Sequence, residues 1–328
     1  MQDLGRIGYQ AQGVPVSGAL DPVALRLGNA LVSNPPGAAA LEIMLSGPKL
    51  EVAADSVRVA AAGPGAGLIL GEGSQIVPGW QSVTLARGEA FQIKLGRESA
   101  CVYLAVAGGF AIPSVLGSLS TYVRAALGGL TGRALQRGDV VPLAADRASD
   151  TPELRLPSPP AAEAARAVRI VLGPQRDYFA DEALAALLGA EFVISKNADR
   201  MGMRLDGPLL RHRDGWDIVS DAIATGAIQV PGSGQPILLL ADHQTTGGYP
   251  KIAVVISADL PIVGRRRPGD AIRFTAVSVE EAEQIAREEE CRLTDLIASL
   301  EPVSTAGDLD LASLYAGNLI SGVVSTTD

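Results

Sequence analysis

The sequence predicts a mainly-β protein, two β-rich units with a few helices, and three observations carry that expectation. Glycine (37) and proline (21) are frequent while aromatics make up only 4% of the chain. Most apolar residues fall in short runs bounded by Gly or Pro, the pattern of strands joined by tight turns. A chain of 328 residues also exceeds what one hydrophobic core usually serves, so two packed units are expected.

The strand-like runs are residues 56–62, 82–86, 100–107, 226–230, 236–241 and 251–257. Together they fit barrels or sandwiches better than helical layers. Three helices can be placed with reasons. Asp21 supplies an N-cap with Pro22 at the first helical position, Leu20 and Leu25 can form a hydrophobic staple, and Asn34-Pro35 stops the run. A second helix starts near Asp181 and ends at Gly189. Ser278 and Glu281 form a capping box for a third, in which Ile285, Leu293, Ile297 and Leu300 give an interrupted apolar stripe. That stripe can pack on the barrel or on a partner.

Residues 143–167 combine proline and alanine with little apolar periodicity, which reads as a linker. The expected organisation is a first unit over 1–145, a linker over 146–166, a barrel over 167–277, and a C-terminal helix and tail over 278–328. Two faint echoes, Ser56-Val57-Arg58-Val59 with Ala167-Val168-Arg169-Ile170 and Gly88-Glu89-Ala90-Phe91 with Gly269-Asp270-Ala271-Ile272, hint at duplication, but their spacing differs between the halves.

Charge narrows the function. A formal net charge of −9 has the wrong sign for a chain that wraps a phosphate backbone, so nucleic acid is not expected as a partner. No apolar run approaches the roughly 18 residues that span a bilayer, and the N-terminus lacks the regions of a secretory signal, so a cytoplasmic protein is expected. Cys101 and Cys291 have no disulfide or zinc spacing. His212 and His243 lack the helical spacing of metal ligands, so no metal is expected. There is no G-x-x-x-x-G-K-[ST] loop and no G-x-S-x-G elbow.

The densest polar constellation is residues 242–251, Asp242-His243-Gln244-Thr245-Thr246-Gly247-Gly248-Tyr249-Pro250-Lys251, directly after an apolar strand. Loops on rigid strands are where binding groups concentrate. Asp242 can accept an N–H from a urea, lactam or amide, Gln244 can pair with such a group in both directions, and Lys251 can hold a carboxylate or phosphate. Thr245 and Tyr249 belong to the same loop. The plainer reading is a hairpin whose glycines supply positive φ, with Asp242 capping the turn and Lys251 in water. Ser220 and Asp221 precede a strand containing Gln229, an amide that either faces a ligand or is satisfied in the core. Asn197 and Arg200, near Asp199 and Arg204, form either an anion-binding segment or a surface loop with a local ion pair. Asp242 and Lys251 are the catalytic candidates; Ser220, Asp221, Gln229, Gln244, Thr245, Tyr249, Asn197 and Arg200 are the substrate-binding ones.

Several long motifs, in order, carry a family resemblance: QDLGRIGYQAQGVPVSGALDP (2–22), LEIMLSGP (41–48), AVAGG and GSLSTY (105–122), DRMGMRLDG (199–207), SDAIATGAIQVPGSGQPILLLADHQTTGGYPK (220–251) and NLISGVV (318–324). The chain resembles the KipA family, also known as allophanate hydrolase subunit 2, the C-subunit of 5-oxoprolinase (PxpC), or the biotin-dependent carboxyltransferase subdomains A and B. The resemblance implies a cyclophilin-like β-barrel beside a second β-rich unit, and a KipI-type (PxpB) partner. Three activities come with it. The first is a share in opening 5-oxoproline with ATP used by the complex and a LamB/YcsF-type (PxpA) third protein. The second is transfer of CO2 to urea or another amide from carboxybiotin carried on a different protein. The third is non-catalytic regulation of a KipI-type kinase inhibitor. Little activity is expected of the chain alone, and without its partner an exposed apolar patch would favour homo-oligomers. Family members also carry a first strand before the Q-D-x-G-R motif, which here begins at Gln2.

Overall fold

The computed structural model describes residues 1–303 apart from 72, 74, 164 and 165. The NLISGVV motif and the tail lie outside the described residues. The mainly-β expectation holds, in two arrangements that share helices.

The first arrangement packs a six-stranded sheet on a four-stranded one. In the first sheet Leu41–Met44, Cys101–Val106, Ser56–Ala62 and Gln81–Ala86 lie side by side and antiparallel. The second runs Lys49–Glu51, Ala90–Lys94, Gly67–Leu70 and Gln75–Pro78. Leu41, Ile43, Val57, Val59, Leu68, Phe91, Ile93, Val102 and Leu104 fill the space between them. Every residue of Cys101–Val106 is buried, without the polar-out alternation of a half-covered strand. The reason is a second cover: α1 (Pro22–Leu31) lies on the opposite face, near strands Ser56–Ala62 and Cys101–Val106. Gly28 permits this, since a Cβ there would sit 3.0 Å from that of Ala62. The Asp21 cap forms as the sequence predicts, with its side chain accepting from the Ala24 N–H and Pro22 opening the helix.

The second arrangement is an eight-stranded, almost closed barrel. Its two ends meet through one segment: Ala271–Ile272 pairs with Phe192–Asp199, and Phe274–Ala276 pairs in parallel with Val168–Leu172. Helix α2 (Asp181–Gly189) contributes Ala183 and Leu187 to the core. A short α3 (Leu260–Gly264), unforeseen because it is barely more than one turn, follows strand Lys251–Val255. Helix α4 (Val279–Ala298) carries both halves of the Ser278/Glu281 capping box, and its buried Leu293 joins the same core. It packs against α1, where Arg26 makes a bidentate pair with Glu290 at 2.7 and 2.6 Å. Leu293, with Ile297 and Leu300 packed beside it, therefore serves this chain's own interior.

One apolar cluster runs from Leu25, Leu27 and Tyr103 through Ile262 and Leu293 to Ile170, Phe192 and Ile228. The two arrangements thus share a core. The stretch read as a bare linker is also partly built in. Leu154–Arg155 pairs with Gln81 and with Glu301–Pro302, Leu156 is buried, and Arg58 donates to the Ser149 carbonyl at 3.0 Å. Proline and alanine conceal this, because the tether is made by residues of distant strands.

Limited proteolysis should therefore cut within residues 157–163 before 149–156, because backbone held in a ladder does not fit a protease cleft. A first cut inside 149–156, located by mass spectrometry, would show that this tether does not hold.

Candidate functional site

Apart from Asp242, the polar residues singled out in 220–251 come together on the outward face of the barrel. Ile228, Leu238 and Ile252 point into the main core, whereas Ala227, Leu239 and Ile223, with Ile237 and Val254, make a small separate cluster. A strap of residues 216–223 covers that cluster. Its Ile218 N–H donates to Gly248 O (2.9 Å), its Ile223 N–H to Thr245 O (3.0 Å), and Asp221–Ala222 pairs with Thr246–Gly247. Gly247 is needed for closeness: a Cβ there would lie 2.8 Å from Ile223 Cδ1 and 2.9 Å from Gln229 Nε2. Positive φ is not its role, since neither Gly247 nor Gly248 adopts it.

Lys251 and Gln229 are cross-strand partners, and both are almost fully buried beneath this cover. The Lys251 ammonium lies 3.1 Å from Asp221 Oδ2, so it is neither solvated nor free. Asp221 is exposed, and the hydrogen bond from Lys251 holds its carboxyl below the usual carboxylate range. Gln229 donates to the Tyr249 carbonyl (3.4 Å) and accepts from Gln244 Nε2 (3.3 Å). Gln175 was not foreseen: its Oε1 accepts the Lys251 N–H at 3.2 Å and its Nε2 reaches Asp221 at 3.4 Å. Gly173 brings it there, because a Cβ at that position would lie 2.1 Å from Lys251 O. The Gly173-Pro174 turn was the available signal.

Two open depressions flank the strap. One of about 400 Å³ is lined by Gln175, Tyr178, Ile218, Val219, Ser220 and Asp221. The other, about 470 Å³, is lined by Arg204, Trp216, Pro231, Gly232, Ser233, Ile237 and Tyr249. Chemically, the first offers amide donors and acceptors beside a covered ammonium, a set that can pair with an amide or hold an anion. No group of three or more His, Cys, Asp or Glu that would hold a metal ion occurs among the described residues.

Asp242 and Arg200 lie elsewhere, at the junction with the first unit. Arg200 donates to both Asp242 oxygens, Nε to Oδ2 at 2.9 Å and Nη2 to Oδ1 at 3.2 Å. It also binds Glu42 Oε1 and the Gly18 carbonyl. Burial opposes the charge, but Glu42 and Asp242 outweigh it and raise the Arg200 pKa above its ordinary value. Asp242 is thus not poised to take a substrate N–H here. The sequence suggested otherwise because its partner Arg200 lies 42 residues away, and Glu42, which shares that guanidinium, lies a further 158 residues from Arg200. Arg200 is likewise no surface-loop arginine. Asn197 stays apart, exposed at an irregularity in its strand.

Solved proteins share this architecture. Over 92% of its length the chain superposes on the Kluyveromyces lactis urea carboxylase with a TM-score of 0.80 and 29% identity, covering 29% of that chain. It is thus a protein of carboxyltransferase-domain architecture. The model of the carboxyltransferase domain, subdomain A and B, matches residues 12–276, and the chain belongs to that family. It is 37% identical to the 5-oxoprolinase C-subunit of Haemophilus influenzae over 90% of this chain and 94% of that protein. It is 34% identical to the Escherichia coli protein of the same name, over 91% and 94%. Both relatives are named as parts of a multi-subunit hydrolase, which places the chain with enzyme subunits.

Two predictions follow from the clamp and its neighbour. Arg200→Met leaves Glu42 and Asp242 buried without their cation, and should lower unfolding free energy by about 3–5 kcal/mol. Asp242→Asn turns an N–H toward the guanidinium and should cost about 2–4 kcal/mol. Urea denaturation midpoints close to wild type in both variants would remove the clamp from the account of stability.

His243 follows Asp242. Its Nδ1–H donates to Gln244 O at 2.6 Å and its Nε2 accepts from the Thr225 hydroxyl at 3.1 Å, so the neutral ring is fully satisfied. Burial lowers its pKa, against the opposing pulls of the Gln244 carbonyl and Asp242. A depressed folded pKa means the unfolded chain binds the proton more readily. The contribution of His243 is therefore complete above about pH 6.5 and is lost as pH falls through that value toward the lower folded pKa. Melting temperatures from pH 5 to 8 should show the gap between wild type and His243→Gln narrowing on acidification; a constant gap would contradict it.

Proposed function

We propose that the chain is the C-type subunit of an ATP-dependent 5-oxoprolinase, a cyclic-amide hydrolase, acting with a KipI/PxpB-type subunit and a PxpA-type third protein. The observation that carries the reading is the extent of likeness. The two 5-oxoprolinase C-subunits match along 94% of their own lengths. The yeast urea amidolyases match along only 17% of theirs. The site suits the chemistry: Gln175, Gln229 and Gln244 offer the paired donors and acceptors an amide needs, and Lys251 is an ammonium sheltered from water. ATP would be bound by the assembled complex.

Carboxyl transfer from carboxybiotin to urea or another amide is the second reading, favoured by the superposition on urea carboxylase. Biotin would be on another protein.

The deciding assay is ATP-dependent release of glutamate from 5-oxoproline by the three reconstituted proteins. Turnover is expected from the complex and little from the chain alone. Lys251→Met should lower kcat/KM about a hundredfold. Absence of turnover, together with carboxylation of urea once a biotin carboxylase and carrier are added, would replace the first reading with the second.

A further inference from the structure

We propose that the depression beside Trp216 is a subsite for a small ring acid, with Arg204 receiving its carboxylate and the ring lying over Ile237 toward Gln229. The inference rests on the lactam reading above and adds the feature that separates a lactam acid from urea, which has no carboxylate.

Four residues form one cross-strand row on the outward face of the barrel. Arg204 pairs with Ile237, Ile237 with Gln229, and Gln229 with Lys251. Strands lie about 4.8 Å apart, so the Arg204 and Gln229 backbones are separated by about 10 Å, a span that their long side chains shorten to the size of one small ring. The row therefore reads cation, apolar floor, amide, ammonium. A lactam acid presents a carboxylate, an apolar ring edge and an amide in the same order.

Three other cations of this unit are already paired, and the exposed Lys196 on the neighbouring strand does not line the depression. Lys251 is held by Asp221, Arg200 by Glu42 and Asp242, and Arg213 lies 3.8 Å from Asp181. Arg204 is exposed, borders the depression and makes no ion pair among the described residues. The neighbouring acid on its strand, Asp206, accepts instead from Gln235 Nε2 at 2.7 Å. Asp214 and Asp217 flank Trp216 in sequence without pairing to Arg204. In a chain of net charge −9, a guanidinium left unpaired at the mouth of a depression is where an anionic ligand would be drawn.

The walls are built as well. Trp216 is half exposed, with its ring centroid 6.1 Å from that of Tyr249 and tilted by 42°. A Cβ on Gly232 would lie 2.8 Å from the indole, so the backbone there lies against the ring and fixes it. Tyr249 links the depression to the row: the residue lines the depression and its carbonyl accepts from Gln229.

The chain has two tryptophans, and Trp80 is buried while Trp216 is not, so ligand in the depression should change the fluorescence of Trp216. In the reconstituted complex, titration with 5-oxoproline should give a saturable change that Trp216→Phe abolishes. Arg204→Gln should weaken 5-oxoproline about ten- to a hundredfold, raising KM with kcat little changed. It should leave the affinity for 2-pyrrolidinone, the uncharged lactam, within about twofold. Equal weakening of both ligands would mean that Arg204 only supports the fold there, and unchanged 5-oxoproline affinity or an absent signal would overturn the subsite. Because the titration reads binding without turnover, a complex that binds 5-oxoproline through Arg204 yet does not hydrolyse it would sink the proposed activity and leave the subsite standing.

Discussion

The Arg200 clamp is the constraint on which the arrangement of the two units depends. One guanidinium joins Glu42 of the six-stranded sheet, the Gly18 carbonyl of the N-terminal loop and Asp242 at the end of a barrel strand. Glu42 is held in turn by the Tyr103 hydroxyl at 2.7 Å and the Leu20 N–H at 3.0 Å. Burial, and next the Glu42 charge, push the Tyr103 phenol well up, so it stays protonated and donates. Its oxygen accepts from the Asp21 N–H, and Asp21 pairs with Arg265 at 2.6 Å. A buried network of this kind contributes little net stability over well-packed apolar groups, but it is costly to break and it fixes orientation. It therefore sets the relative placement of sheet and barrel, which a non-directional apolar core shared between them leaves less defined.

That junction was the part least legible in the sequence. Residues far apart in the chain make it, and no local pattern reports such a meeting. Asp242 stands beside Gln244 and a Gly-Gly turn, so local chemistry suggested a free carboxylate. The same limit explains the linker. Proline and alanine in residues 143–167 signal weak periodicity, but the Arg58 contacts and the Leu154–Arg155 ladder come from strands elsewhere.

Local signals did translate. The Asp21–Pro22 start and the Ser278/Glu281 box each involve groups three residues apart, so capping chemistry alone fixed two helix origins. Strand Ser56–Ala62 was legible for the same reason, being bounded by turn residues. The meeting of Ser220, Asp221, Gln229, Gln244, Thr245, Tyr249 and Lys251 was legible because adjacent antiparallel strands bring neighbouring segments together. Gln175 and Trp216 escaped notice, since each reaches the cluster from a loop, Gln175 with only the preceding Gly173-Pro174 turn as a signal and Trp216 with none.

The barrel interior explains why the candidate site faces outward. Ile170, Phe192, Ile194, Leu205, Ile228, Leu238 and Ile252 fill the inside, and a packed interior of this kind has no room for a polar ligand. Polar chemistry must then sit on the outer face, where a sheet would ordinarily be solvated. The strap changes that environment. By covering Gln229 and Lys251 it removes water from groups that would otherwise be hydrated, which strengthens their electrostatic interactions with whatever they meet. It also requires partners for them, and Asp221, Gln175, Gln244 and the Tyr249 carbonyl meet that requirement. A ligand amide entering from either depression therefore competes with existing hydrogen bonds and gains only what exceeds them. In the proposed subsite, discrimination would therefore depend on a group the resting protein leaves unpaired, the exposed Arg204 guanidinium at the end of the row, rather than on the satisfied polar groups at its centre.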